Sequence, residues 1–438
     1  PIFRELFFNS FYSLFGLNHL PFRIFSVLLH FVNILLVYIF VQRIFTNRLL
    51  SFFVSLFFGI SAANVAVLYY LTGGVQILGA TMFILLTLIF FWQYLEDNKV
   101  KFKTFSFLTF ALSLASHEMA ATTPLLLVGL VFLREKKQRV LSIYIRELWL
   151  FALLVTVYLY LDIFKIGFSQ NEEQYQMVFS IKRILNSLAW YWVWALGLPE
   201  MLVDFVKSGL SLNPSLMRYW GGYFTIIFPA FFGVMGFFAA FLVYLGVKVK
   251  SFFPDKRFWF FVLWFPVGIL PVVFLPLHKS SYYLLPVLPA FWVALGLVVF
   301  GVYKSLAMRH KKIVTTVIGA FVLLLLLLSA ASIGLGDKTY PAAVRGRLAE
   351  KLINDVKSQY PKLPPGSVVY FKNDPDYPFI AEDWGGTSKQ AAFILNRADA
   401  LQLFYKDRTL RVFYEDMDTI PEDIPKDNIY EIMARINY

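Results

Sequence analysis

The sequence predicts a polytopic α-helical membrane protein carrying a small α/β domain at its C-terminal end. Three observations lead there. Of the 438 residues, 58% are hydrophobic, 19% aromatic and only 16% charged, more apolar surface than a soluble chain of this length can bury. Apolar runs of spanning length, or nearly so, recur from Phe22 to Ala331. From Asp337 the composition turns polar: Lys and Arg outnumber Asp and Glu by 26 to 12 up to Gly336, whereas the remainder has 14 against 16.

Taken in order, the apolar segments run Phe22 to Val41, Leu50 to Tyr69, Gln76 to Tyr94, Phe102 to Ala115, Met119 to Leu133, Leu148 to Phe164, Tyr223 to Val247, Phe258 to Leu275, Tyr283 to Tyr303 and Ile313 to Ala331. A spanning helix needs about 20 apolar residues, so these are read as ten crossings. Basic clusters occupy alternate loops: Arg43 and Arg48; Lys99, Lys101 and Lys103; Arg134, Lys136, Lys137, Arg139 and Arg146; Lys248, Lys250, Lys256 and Arg257; Lys304, Arg309, Lys311 and Lys312. Excess Lys and Arg mark cytoplasmic loops, which accounts for the net charge of +12 without nucleic acid as a partner. The opposite, extracytoplasmic side then receives Pro1 to Pro21, Tyr70 to Val75, Ser116 to Glu118, Lys165 to Trp220, Pro276 to Tyr282 and the tail. Within that group, Ile181 to Phe205 is read as an interfacial or re-entrant helix, because its Trp-rich flank suits the headgroup zone.

The division falls at 1–335 for the membrane part and 336–438 for the soluble part. In the latter, Ala342 to Tyr360 has helical periodicity, KLPPG breaks it, and Ser367 to Phe371 and Leu410 to Tyr414 read as strands flanking one or two helices over Lys389 to Phe404. The absence of cysteine excludes disulfides, thiol catalysis and Cys-ligated metal. The chain opens PIFRELFF without Met, which reads as a truncated start with an upstream segment missing.

Four stretches could carry chemistry. His117 and Glu118 interrupt two apolar half-segments, and ionisable residues at membrane depth mark functional cavities by default. Adjacent residues on a helix point about 100° apart, so this pair is ill placed to share a metal, and a structural ion pair is the plainer reading. Arg4 and Glu5 lie at the outer face, where a fixed cation can hold a lipid-linked phosphate and a carboxylate can take a proton. The plain alternative is a solvated pair. His278, Lys279, Tyr282 and Tyr283 crowd the short turn PLHKSSYYLLP; Lys and Tyr can bind phosphate there or simply anchor the interface. Gln76 closes the Gly-rich turn LTGGVQ, which any short interhelical loop could equally need. No residues have metal-ligand spacing, and a divalent ion is left open as a cofactor.

The order of these features resembles the GT-C glycosyltransferases, closest in look to the protein O-mannosyltransferase and aminoarabinose transferase groups. FREL followed by FYSLFGLNHLPFRIFSVLLHFVNILLVYIFVQRIF resembles the end of their first outer loop and second helix. LYYLTGGVQILGA resembles the second outer loop, SHEMAATTP the SKE-A-x-x-P turn, and HKSSYYLLPVLPAF the late outer loop. The similarity covers most of Pro1 to Ser332 in short, degenerate motifs. It implies an inverting transferase in the cell membrane, bacterial inner membrane by that likeness. Its donor would be a polyprenyl-phosphate sugar, and its acceptor a hydroxyl or amine on a protein, lipid or glycan. By the same likeness Arg4 and Lys279, with Tyr282 or Tyr283, hold the donor phosphate, and His278 ranks second. The family's catalytic Asp would lie upstream of Pro1, leaving Glu5 and Glu118 as in-chain candidates. Gln76 stands where the mannosyltransferases often have Asp, and His117 where they have Lys; both fall to the polar lining of the cavity. A carrier or flippase of lipid-linked glycans, or an inactive membrane anchor displaying the tail, are the competing readings.

Overall fold

The computed structural model describes residues 2–134, 140–166, 173–207, 209, 211–249, 252–377 and 386–436. Pro1, Lys136, Lys137, Arg139 and Lys250 of the expected start and basic loops lie outside them. The chain divides into two compact units, Pro1–Asp337 and Lys338–Tyr438.

The first unit begins with α1 (Ile2–Phe15), where a helix replaces the expected outer loop. Phe3 sits over Gly79, where a Cβ would come within 2.6 Å of its ring. Phe7 and Phe11 pack edge-on or tilted against Phe22 and Phe25 of α2 (His19–Phe45). Asn18 caps α2 by accepting from the Leu20 amide at 3.1 Å.

After α3 (Arg48–Gly59) the backbone breaks, and α4 (Asn64–Tyr69) restarts it. A break leaves carbonyls without helical partners, which at membrane depth must be satisfied by protein. Asn64 Nδ2 donates to Phe58 O at 2.7 Å and Gly59 O at 3.1 Å. Arg23 does the same for the far end of α4, its guanidinium donating to Leu68 O at 2.5 Å and Tyr69 O at 3.2 Å.

The hairpin of α5 (Leu71–Asp97) and α6 (Val100–Ser116) is closed by small polar residues. Ser106 Oγ donates to Thr87 O at 2.9 Å, and the hydroxyls of Thr87 and Thr109 are 3.0 Å apart, the close approach that Ser and Thr permit between membrane helices. An extended His117 ends α6, and a 3-10 turn Glu118–Thr122 leads into α7 (Thr123–Arg134). Then come α8 (Val140–Leu161), α9 (Ile181–Leu196), a 3-10 turn Glu200–Phe205, α10 (Ser215–Lys248), α11 (Lys256–Val273), a 3-10 turn Ser281–Leu284 and α12 (Leu288–Thr339), whose backbone leaves helical geometry at His310.

Six helices among the described residues are long and apolar enough to cross a membrane, which corrects the ten expected. The shortfall has identifiable causes. The second expected span is split between α3 and α4; α6 has 17 residues and α7 only 12, or roughly 25 and 18 Å at the helical rise. Most of the ninth and all of the tenth lie in the two helices that meet at the His310 kink and are counted together as α12. Nor is 181–205 one interfacial helix. Gly197, at φ 122°, ends α9, and Tyr191 and Trp194 are fully buried, so part of the aromatic face packs inward.

The second unit holds α13 (Pro341–Gln359), β1 (Val368–Lys372), α14 (Thr387–Leu395), α15 (Asp399–Tyr405), β2 (Arg411–Tyr414) and β3 (Ile429–Met433). Its sheet is parallel, in the order β2-β1-β3. Val369 and Phe371 of β1 pack with Leu352 and Val356 of α13 and Ala391 and Leu395 of α14. The strand β3, with sequence IYEIM, was not anticipated.

Candidate functional site

The segment between α11 and α12 is drawn together by a side chain that the sequence reading passed over. Glu200, just after Gly197-Leu198-Pro199, accepts from Ser280 Oγ at 2.8 Å and from the Ser281 amide at 3.0 Å, and takes a short hydrogen bond from Ser281 Oγ. Three donors converge on one carboxylate. Withdrawal from water nevertheless pushes its carboxyl above the ordinary carboxylate range, outweighing the hydrogen bonds that pull it down.

The turn so fixed presents His278, Lys279, Tyr282 and Tyr283. Lys279 Nζ donates to Asn186 Oδ1 of α9 at 3.1 Å and pairs with no carboxylate among the described residues. Partial burial lowers its pKa. Tyr282 and Tyr283 are buried, with ring centroids 4.1 Å apart. Burial raises both phenols, so they remain hydroxyl donors at neutral pH. Tyr282 Oη lies 3.4 Å from His278 Nε2, and Tyr175 and Tyr70 close the cluster against His278 and Tyr282 at 4.6 and 5.9 Å between rings.

His117 joins this group, its ring 6.0 Å from that of Tyr283. Its Nδ1 lies 3.1 Å from Glu118 Oε2 and 3.3 Å from the Met119 amide. These contacts are alternatives, because Nδ1 donates to Glu118 only when protonated and accepts from Met119 only when bare. Burial lowers the His117 pKa against the opposing pull of Glu118, which favours the neutral ring, and its tautomer selects between the two contacts. Glu118 itself is about half exposed, at 45%.

The other candidates have hydrogen-bond partners of their own. Arg4 commits its guanidinium to Glu5, at 2.7 Å, on the partly exposed surface of α1, and makes no hydrogen bond or ion pair with the 276–284 turn. Gln76 is buried and donates to Thr72 O of its own helix at 2.9 Å. Thus contacts link His117, Glu118, His278, Tyr282 and Tyr283, with Lys279 in the same turn, while Arg4, Glu5 and Gln76 are bonded to near neighbours in sequence.

Beside the polar cluster lies an apolar one. The helix α9 that supplies Asn186 also supplies Leu188, Trp192 and Leu196 to a cavity of about 520 Å³, whose other walls include Phe238 of α10, Phe265 of α11 and Leu295 of α12. The signal for Glu200 was present in the sequence: a lone carboxylate in the apolar run from Trp190 to Val203, the same kind of interruption that singled out Glu118. Asn186 and Tyr175 had no comparable signal. No protein-family model, characterised protein or solved structure matches the chain.

Proposed function

We propose that the chain is the membrane body of a glycosyltransferase that takes its sugar from a polyprenyl-phosphate donor. Transfer goes to a protein, lipid or glycan acceptor on the extracytoplasmic side, with inversion at the anomeric carbon. The supporting observation is that α9 serves both parts: Asn186 holds Lys279, and Leu188 and Trp192, two and six residues further on, line an apolar cavity of about 520 Å³. A phosphate on a long isoprenoid needs both parts, a cation with N–H donors for the head and aromatic and aliphatic walls for the chain.

In this reading Lys279 and the hydroxyls of Tyr282 and Tyr283 bind the phosphate and stabilise its charge as it leaves. His278 and His117 complete the polar lining. Glu118 is a better base than Glu5, since it joins the tyrosine cluster through His117 whereas Glu5 is tied to Arg4.

The test is native mass spectrometry of the purified chain with a polyprenyl phosphate, comparing wild type with Lys279→Gln. A hydrogen bond to a charged group contributes about 1.5–3 kcal/mol, so the substitution should weaken binding roughly tenfold or more. Unchanged affinity in Lys279→Gln would remove the phosphate role and with it the main support for the reading.

A further inference from the structure

The face formed by α7 and α11 carries a second groove, away from the cluster around Lys279. It encloses about 380 Å³ and is lined by Leu125, Val128 and Phe132 of α7 and by Trp259, Leu263 and Val267 of α11, with Lys256 also in its lining. Its walls are exposed apolar side chains: Leu125 53%, Phe132 50% and Leu263 57%. In a membrane-embedded helix such surface is covered by lipid or by another helix.

Three features say which. The lining on α11 runs from Lys256 to Val267, about 16 Å at 1.5 Å per residue, or roughly half the 30 Å hydrocarbon thickness. That is the depth of one leaflet. The cation sits at one end rather than in the middle, where a headgroup lies when its chain fills the groove. Trp259 belongs to the same end and is anchored by its indole N–H donating to Phe253 O at 2.7 Å, in keeping with the aromatic preference for the interface.

Charge complementarity fixes the headgroup. Lys256 Nζ rests 4.4 Å from the centroid of the Phe132 ring and pairs with no carboxylate among the described residues. Its neighbour Arg257 is committed to Asp255, at 2.8 Å. Lys256 therefore offers donors that no carboxylate among the described residues neutralises. We infer that the α7–α11 groove binds one acyl chain of an anionic phospholipid, with the lipid phosphate on Lys256. The site is independent of the glycosyltransferase reading and belongs to the leaflet on the Lys256 side.

The experiment is native mass spectrometry of the full chain titrated with phosphatidylglycerol or with phosphatidylcholine of the same acyl chains. A single lysine beside an anionic surface contributes about a fivefold preference. Wild type should therefore retain phosphatidylglycerol about fivefold better than phosphatidylcholine, Lys256→Gln should lose that preference, and Lys256→Arg should keep it. Val128→Phe, which fills an exposed part of the groove, should weaken both lipids. The inference is overturned if Lys256→Gln discriminates as wild type does, if wild type shows no preference, or if Val128→Phe leaves both lipids bound as before, the result expected when another helix rather than lipid occupies the groove.

Discussion

Removing the Glu200 carboxylate should loosen the turn that carries Lys279, and the size of the effect can be worked from its three hydrogen bonds. In Glu200→Ala the Ser281 amide, now accepted at 3.0 Å, loses its acceptor, and an orphaned buried donor costs about 1–3 kcal/mol. The two hydroxyls lose less, because they can rotate; Ser281 Oγ already lies 3.4 Å from Ala63 O. Each is worth roughly 0.5–1 kcal/mol net. Against this stands the relief of a carboxylate held partly out of water, which its raised pKa reports. The three losses together come to about 2–5 kcal/mol, from which that relief subtracts.

Thermal unfolding of the solubilised full chain reads the stability, and the rate of amine modification at Lys279 reads the turn locally. Glu200→Ala should lower the first and raise the second, while Glu200→Gln, which keeps one acceptor oxygen, should fall between it and wild type. The pH dependence has a definite sign. A carboxyl raised in the folded state holds its proton more tightly there than in the unfolded chain. Its favourable contribution is therefore complete below the unfolded value of about 4.3 and is lost as pH rises through the folded one. Glu200→Gln should flatten stability across that window. If Glu200→Ala unfolds at the wild-type temperature and Lys279 reacts no faster, Glu200 does not organise the turn and the argument fails.

Two further perturbations test the scaffold. Asn64→Leu removes the donor that serves Phe58 O and Gly59 O at the break between α3 and α4; a loss of about 1–3 kcal/mol is expected, checked by thermal unfolding in detergent, and an unchanged midpoint would show that the break needs no side-chain partner. Leu352→Ala empties a fully buried position between α13 and the sheet and should cost about 2–5 kcal/mol, read as earlier proteolysis of the Lys338–Tyr438 unit in the full chain.

The helical membrane character and the α/β nature of the C-terminal unit were legible because burial and periodicity leave their mark residue by residue. Ser367 to Phe371 and Leu410 to Tyr414 are β-rich runs bounded by breakers, and strands form at Val368–Lys372 and Arg411–Tyr414. The third strand was hidden because Ile429–Met433 sits in a polar context, and it acquires its pairing from β1 at long sequence separation. The count of crossings failed for a related reason. Hydropathy reports how apolar a run is, not whether the helix persists through it, and the backbone break after Gly59 is repaired by Asn64, an ordinary-looking polar residue a few positions away.

The site divides along the same line. His278, Lys279, Tyr282 and Tyr283 come together because they are neighbours in sequence, and His117 joins them because it lies at a turn between two apolar segments, which hydropathy can place. Arg4 and Gln76 looked equivalent on those grounds, yet each has a partner closer to hand. Arg4 has a carboxylate on the next residue, and Gln76 has a carbonyl one helical turn back. A charged or amide side chain satisfied locally gains little by reaching further. Lys279 has no carboxylate partner among the described residues, and its ammonium keeps donors to spare after Asn186 takes one. Local charge pairing therefore separates the two cations singled out for phosphate: Arg4 has a carboxylate on the adjacent residue, and Lys279 has none among the described residues.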